Sequence, residues 1–155
     1  MAYDIMSLSN TLMYQGALVC GNEAVASARL NIPNPDALRE LGSWVEEILC
    51  PARRVVLIDT DQLQMREERP RRKELVNRQE AALLLFLTKA LVRAGVPGHS
   101  IGLLSPYRAQ VELLEGLVGC EEEASGVEVL TIDRAQGRDK DVILVSMVRS
   151  NDERE

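Results

Sequence analysis

Between Val127 and Asn151 the chain places an apolar run, a polar turn with a single glycine, and a second apolar run in a space too short for a helical crossover. That layout holds charged groups at a strand end. The second run, Asp141 to Val148, is dense in Val, Ile and Leu, as expected of a strand covered on both faces, where in-and-out alternation disappears. Asp133, Arg134, Gln136, Gly137, Arg138, Asp139 and Lys140 crowd the connection. Gly137 is the residue there that takes a positive φ or lets a ligand approach the backbone. A solvated turn and a ligand-facing turn both fit the local pattern.

A chain of 155 residues has room for one domain with a sizeable core. A formal net charge of -6 argues against binding nucleic acid through a uniformly basic surface and leaves a local basic groove open. Cys20, Cys50 and Cys120 are odd in number and far apart, which points to reduced thiols in an intracellular protein rather than to a disulfide framework or a zinc site. No basic segment followed by an apolar stretch marks a secretory leader. No apolar run approaches the roughly 20 residues of a membrane span. The lone His99, in a Pro-Gly-His-Ser segment, reads as a solvated loop residue.

Asp4 is placed to cap a first helix that buries a face of Ile5, Leu8, Leu12 and Met13 and ends at Gly16. Residues 24–32 read as a short strand or extended piece. Pro35 starts a second helix carrying Leu38, Leu41, Val45 and Ile48, with Trp44 in the core. Val55 to Ile58 reads as a covered strand, and residues 61–75 as a charged, solvated loop, with a nucleic-acid contact as the alternative. Asn77 with Glu80 has the form of a capping box opening a helix through Leu91 to Gly95. Ile101 to Leu104 reads as a strand running directly into a helix begun by Ser105-Pro106. This alternation predicts an α/β fold with a mostly parallel sheet and helices on both faces. Ligands of such sheets bind beyond the carboxyl ends of the strands, where a helix N-terminus offers free N–H groups to a phosphate. Ser105, Tyr107 and Arg108 lie at that place.

The segment Ser105-Pro106-Tyr107-Arg108-Ala109-Gln110, the segment Thr131 to Asp141 (T-I-D-R-A-Q-G-R-D-K-D) and Val148-Arg149-Ser150-Asn151 together resemble the second RecA-like domain of superfamily 1B helicases. Within that superfamily they are most similar to the helicase/nuclease group of eukaryotic DNA replication. Asp4 to Asn10, Tyr14 to Leu18 and Asn77 to Ala81 resemble further segments of that domain, so the likeness covers nearly the whole chain.

The resemblance implies an incomplete RecA-like domain, of the phosphate-loop NTPase type, over residues 1–155. By position, Ser105, Pro106, Tyr107, Arg108, Gln110, Thr131 and Asp133 would meet single-stranded or flap DNA. Gln136, Gly137, Arg138 and Asp139 would face ATP. The family's phosphate loop and its acidic magnesium motif are not in the sequence, so ATP and Mg2+ would be held mainly by a first RecA-like domain. An iron-sulfur cluster would belong to a nuclease region elsewhere. No catalytic set is complete here, and the chain is expected to be inactive alone. Replication and repair proteins, a nuclear or mitochondrial location and the absence of a membrane partner follow from the same likeness. The other readings are a non-catalytic interaction module, an RNA helicase domain of the same superfamily, or a doubly wound domain binding a small phosphate ligand.

Overall fold

The computed structural model describes residues 2–60, 63, 65–71 and 74–149. Three parallel strands form its sheet: β1 (Ile101–Ser105), β2 (Glu128–Thr131) and β3 (Val142–Val145), in the order β2-β1-β3. Leu103 pairs with Val129 on one side and Leu144 on the other. Alternate residues of β1 therefore face opposite ways. Ile101 and Leu103 point into a core with Leu87, Leu91 and Leu114. Each fully buried leucine of this kind contributes about 1.5–3 kcal/mol.

Two helices cover that face, α5 (Arg78–Arg93) and α6 (Arg108–Gly119). Helix α5 starts as its sequence requires: Asn77 Oδ1 accepts from the Glu80 N–H at 3.0 Å, and Asn77 Nδ2 donates back to Glu80 Oε1 at 3.1 Å. Its buried face is Ala81, Leu84, Leu87, Thr88 and Leu91, with Gly95 at φ +93 closing it. The α/β class expected from the alternation is the class observed, and the covering of the sheet is uneven. Burial along β3 alternates, and Ile143 and Val145 remain 43% and 44% exposed on the face away from α5 and α6.

Helix α6 begins later than the sequence predicts. The residue before a proline is pushed to extended backbone, and Tyr107 at φ -103, ψ 121 is still extended, so Tyr107 and not Ser105 is the N-cap. Four other expectations are corrected. Helix α1 (Tyr3–Leu12) buries Met6, while Ile5, Leu8, Leu12 and Met13 face solvent. Residues 24–32 hold no strand; α2 (Glu23–Ala26), capped by Asn22, occupies their start. The second predicted helix is two, α3 (Asp36–Glu40) and α4 (Ser43–Ile48), because Gly42 at φ +118 breaks it. Trp44 is consequently turned outward and stacks on Phe86, ring centroids 5.6 Å apart, instead of entering the core.

Val55 to Ile58 is the fourth correction. The run forms no ladder among the described residues, and Leu57 is 92% exposed. β-Branched residues favour strands only where a neighbour supplies hydrogen bonds and packing, and among the described residues neither β2 nor β3 pairs with this run. Within 61–75, Asp61, Gln62, Gln64, Arg72 and Lys73 lie outside the described residues. The remainder doubles back on itself, with an antiparallel bridge between Glu68 and Val76 and a 3.2 Å ion pair from Glu68 to Arg78.

Candidate functional site

The expected site residues fall into two groups, one at the carboxyl ends of the strands and one on the connection that returns to their amino ends. At the carboxyl edge, Thr131 lies beside Ser105 in register. The Ser105 carbonyl accepts from Ile132 N–H at 3.3 Å, and its Oγ accepts from Tyr107 N–H at 3.2 Å. Ser105 is thus buried and spent on holding the turn, whereas Pro106 and Arg108 are exposed and Tyr107 half-buried. Arg108, Thr131 and Arg134 line a cleft of about 270 Å³ together with Glu112 and Glu115, and Arg108 Nε lies 3.7 Å from Glu112 Oε1 one turn along the same helix. Asp133 and Arg134 sit in a single 3-10 turn, Asp133–Ala135, beyond β2.

Gln110 takes a different position from the residues around it. It is wholly buried, accepting from Asn77 N–H at 2.8 Å and donating to Asn77 O at 2.9 Å and to Ser146 Oγ at 3.0 Å. Its amide ties α6 to α5 and β3 from beneath the edge.

From Thr131 the chain must reach β3 on the other side of β1, so residues 132–141 run back along the strands to the amino edge. Asp141 N–H reaches Ser100 O at 3.0 Å, and Lys140 lies close enough that a Cβ on Gly102 would come within 3.4 Å of its Cγ. Midway, Arg138 N–H closes on Ala135 O at 3.0 Å around Gln136 at φ -57, ψ 126 and Gly137 at φ +80. Those angles are a type II turn, whose third position requires a glycine-like φ. Nothing lies within 4 Å of a Cβ built on Gly137, so the turn alone accounts for the glycine and leaves open space above it.

Gln136, Gly137, Arg138 and Asp139 are all exposed along this return path. Arg138 Nη1 is 3.7 Å and Lys140 Nζ 3.0 Å from the carboxylate of Glu128, at the start of β2. The Lys140 ammonium holds the Glu128 carboxyl below its ordinary range, against a smaller opposing effect of burial. Lys140 also donates to His99 O at 2.6 Å, which fixes the carboxyl end of the connection at the amino edge of the sheet. Among the described residues no His, Cys, Asp or Glu cluster suits a metal ion, and no helix is long and apolar enough to cross a membrane.

Sequence reasoning missed the buried polar group next to the carboxyl edge. Glu80 Oε2 accepts from Ser146 Oγ at 2.6 Å and from Val148 N–H at 3.0 Å. Asn77 Nδ2 donates to Val148 O at 3.2 Å and to Met65 O at 2.8 Å. The available signal was Ser146, the one polar residue inside an apolar run.

A protein-family model described as an AAA domain matches residues 1–155. Over 158 residues the chain is 38% identical to the DNA replication ATP-dependent helicase/nuclease of Saccharomyces cerevisiae, covering 97% of this chain and 10% of that protein. It is 38% identical over 156 residues to the Homo sapiens protein of the same description, covering 95% of this chain and 14% of that one. The Arabidopsis thaliana counterpart is 38% identical over 152 residues, 98% of this chain and 11% of its own length. The chain thus spans 10 to 14% of the length of these relatives.

Proposed function

The chain belongs to the AAA-domain family, and from that premise we propose that it is part of a second RecA-like motor domain of an ATP-dependent DNA helicase. In this reading Pro106, Tyr107, Arg108, Thr131 and Asp133 form a stretch of the single-stranded DNA track, held from below by Ser105 and Gln110. Gln136, Gly137, Arg138 and Asp139 form one wall of the ATP cleft. A first RecA-like domain supplies the phosphate loop and most contacts to Mg2+, and this chain alone hydrolyses nothing. A nuclear site of action and flap DNA as substrate accompany the reading through the replication enzymes it resembles.

The observation that carries the proposal is the single connection, residues 132–141, that touches both edges of the sheet. A five-residue strand such as β1 spans about 15 Å at ~3.3 Å per residue. One short segment therefore carries Asp133 at the carboxyl edge and Gln136 to Asp139 along the return to the amino edge. Closure of two motor domains on ATP, and reopening after hydrolysis, would move the segment and alter grip on DNA by differential affinity for the two states.

The test mixes this chain with a separately produced first RecA-like domain of a related helicase and follows ATP hydrolysis with and without oligothymidylate. DNA-stimulated hydrolysis is expected for the pair and lost in Gly137→Val. Normal stimulation in that variant would refute the nucleotide-side assignment. No stimulation by the wild-type chain, with no DNA binding, would favour the interaction-module reading, which the exposed Ile143, Val145 and Met147 also suit.

A further inference from the structure

Val148 is a β-branched residue at φ +69, fully buried, three residues past the end of β3. The Arg149 N–H closes on Met147 O at 2.8 Å, so Val148 is the centre of a positive-φ γ-turn, a rare and strained conformation. For a β-branched side chain such a φ is a genuine outlier. It persists because its peptide groups are gripped on both sides: the N–H by Glu80 Oε2, the carbonyl by Asn77 Nδ2. A carboxylate suits that place because it only accepts, and three donors converge on it, from Asn77, Ser146 and Val148. The turn sends the exposed Arg149 out at the carboxyl edge, and no described acidic residue pairs with it.

We propose that Glu80 is a positioning residue which, through the strained turn at Val148, sets Arg149 as a phosphodiester contact on the DNA track. The proposal rests on the nucleic-acid reading given above and adds a cation to it on the β3 side of the edge, opposite Arg108 and Arg134. A buried network that served stability alone would have no reason to hold a valine at positive φ directly before an exposed arginine.

The test is a double-mutant cycle read by fluorescence anisotropy of labelled oligothymidylate at several low salt concentrations, using the full chain. Arg149→Ala should weaken binding by about fivefold and flatten the salt dependence by about 0.7, one single-strand phosphate contact. Glu80→Gln, which sets an amide donor against donors, should weaken binding to a similar extent and add nothing in the Arg149→Ala background. A purely structural Glu80 would give additive losses, because its effect would not pass through Arg149. Should Glu80→Gln fail to fold, Asn77→Ser retains a capping oxygen, deletes the grip on the Val148 carbonyl, and should show the same dependence on Arg149. Binding sensitive to Tyr107→Ala but indifferent to Arg149→Ala overturns this inference alone. A wild-type chain that binds no oligothymidylate at any salt overturns the parent reading as well.

Discussion

Replacing Gly98 by alanine tests the packing that sets β1 against β2. Gly98 opens the 3-10 turn Gly98–Ser100 that feeds β1, and it lies on the backbone of residues 125–127 that feeds β2. A Cβ at this position would overlap the Ser125 carbonyl oxygen and sit 3.2 Å from its carbon and 3.4 Å from Val127 N. All three are backbone atoms, so no change of rotamer relieves the contact. Overpacking costs about 1–3 kcal/mol. Here the upper part of that range applies, about 2–3 kcal/mol, because the entry to β2 must move and the pairing of Gly102 with Glu128 follows directly. Gly116 is the internal control. It lies on the exposed side of α6 with nothing within 4 Å of a Cβ, and Gly116→Ala should stabilise by about 0.5–1 kcal/mol. Urea unfolding followed by circular dichroism should show the midpoint falling for one variant and rising for the other with an unchanged slope. The Tm of Gly98→Ala should drop by about 4–12 °C. If Gly98→Ala unfolds within about 0.5 kcal/mol of the wild type, the close approach of the two strand entries described above is wrong.

Three further outcomes are expected. Glu128 has a lowered folded-state pKa, so its contribution is present above the unfolded carboxyl value near 4.5 and is lost as pH falls through the folded one. Lys140→Met should therefore lower stability at pH 7, and the gap from wild type should narrow as pH falls from about 5 to 3; a gap that widens on acidification contradicts the pairing. Gly137→Ala should cost about 1–2 kcal/mol from its φ alone, and Gly137→Asn less, measured by thermal melting; equal costs for both would mean that the turn is not type II. Phe86→Ala should shift the emission of Trp44, the one tryptophan, to longer wavelength at constant secondary structure, and unchanged emission would discount the stack.

Features decided by local chemistry were legible in the sequence. The Asn77–Glu80 capping box, the positive φ of Gly137 and the strands on either side of it depend on residues within a few positions of one another. Features decided by partners were not. Val55 to Ile58 has the composition of a strand but no described neighbour to bond with, and the apolar stripe of α1 has little to pack against. Ser105-Pro106 reads as a helix start, yet Ser105 ends the strand, the chain bends at Pro106, Tyr107 is the N-cap, and the serine serves the turn. Gln110 looks like a binding residue by position, and only its buried bonds to Asn77 and Ser146 reveal what its amide does in this fold. The Glu80 network was invisible because Glu80 and Val148 are 68 positions apart.

The strand order β2-β1-β3 also has a consequence for how the chain is made. β1 emerges from the ribosome first, but the strands that flank it are encoded later. Leu103 gains Val129 only after 26 more residues, and Leu144 only after 41. Until then the most buried strand of the sheet has both edges open, and such edges pair with whatever is near. The domain should fold late and all at once, its central strand sheltered only by α5 and α6 while synthesis runs on to Val145.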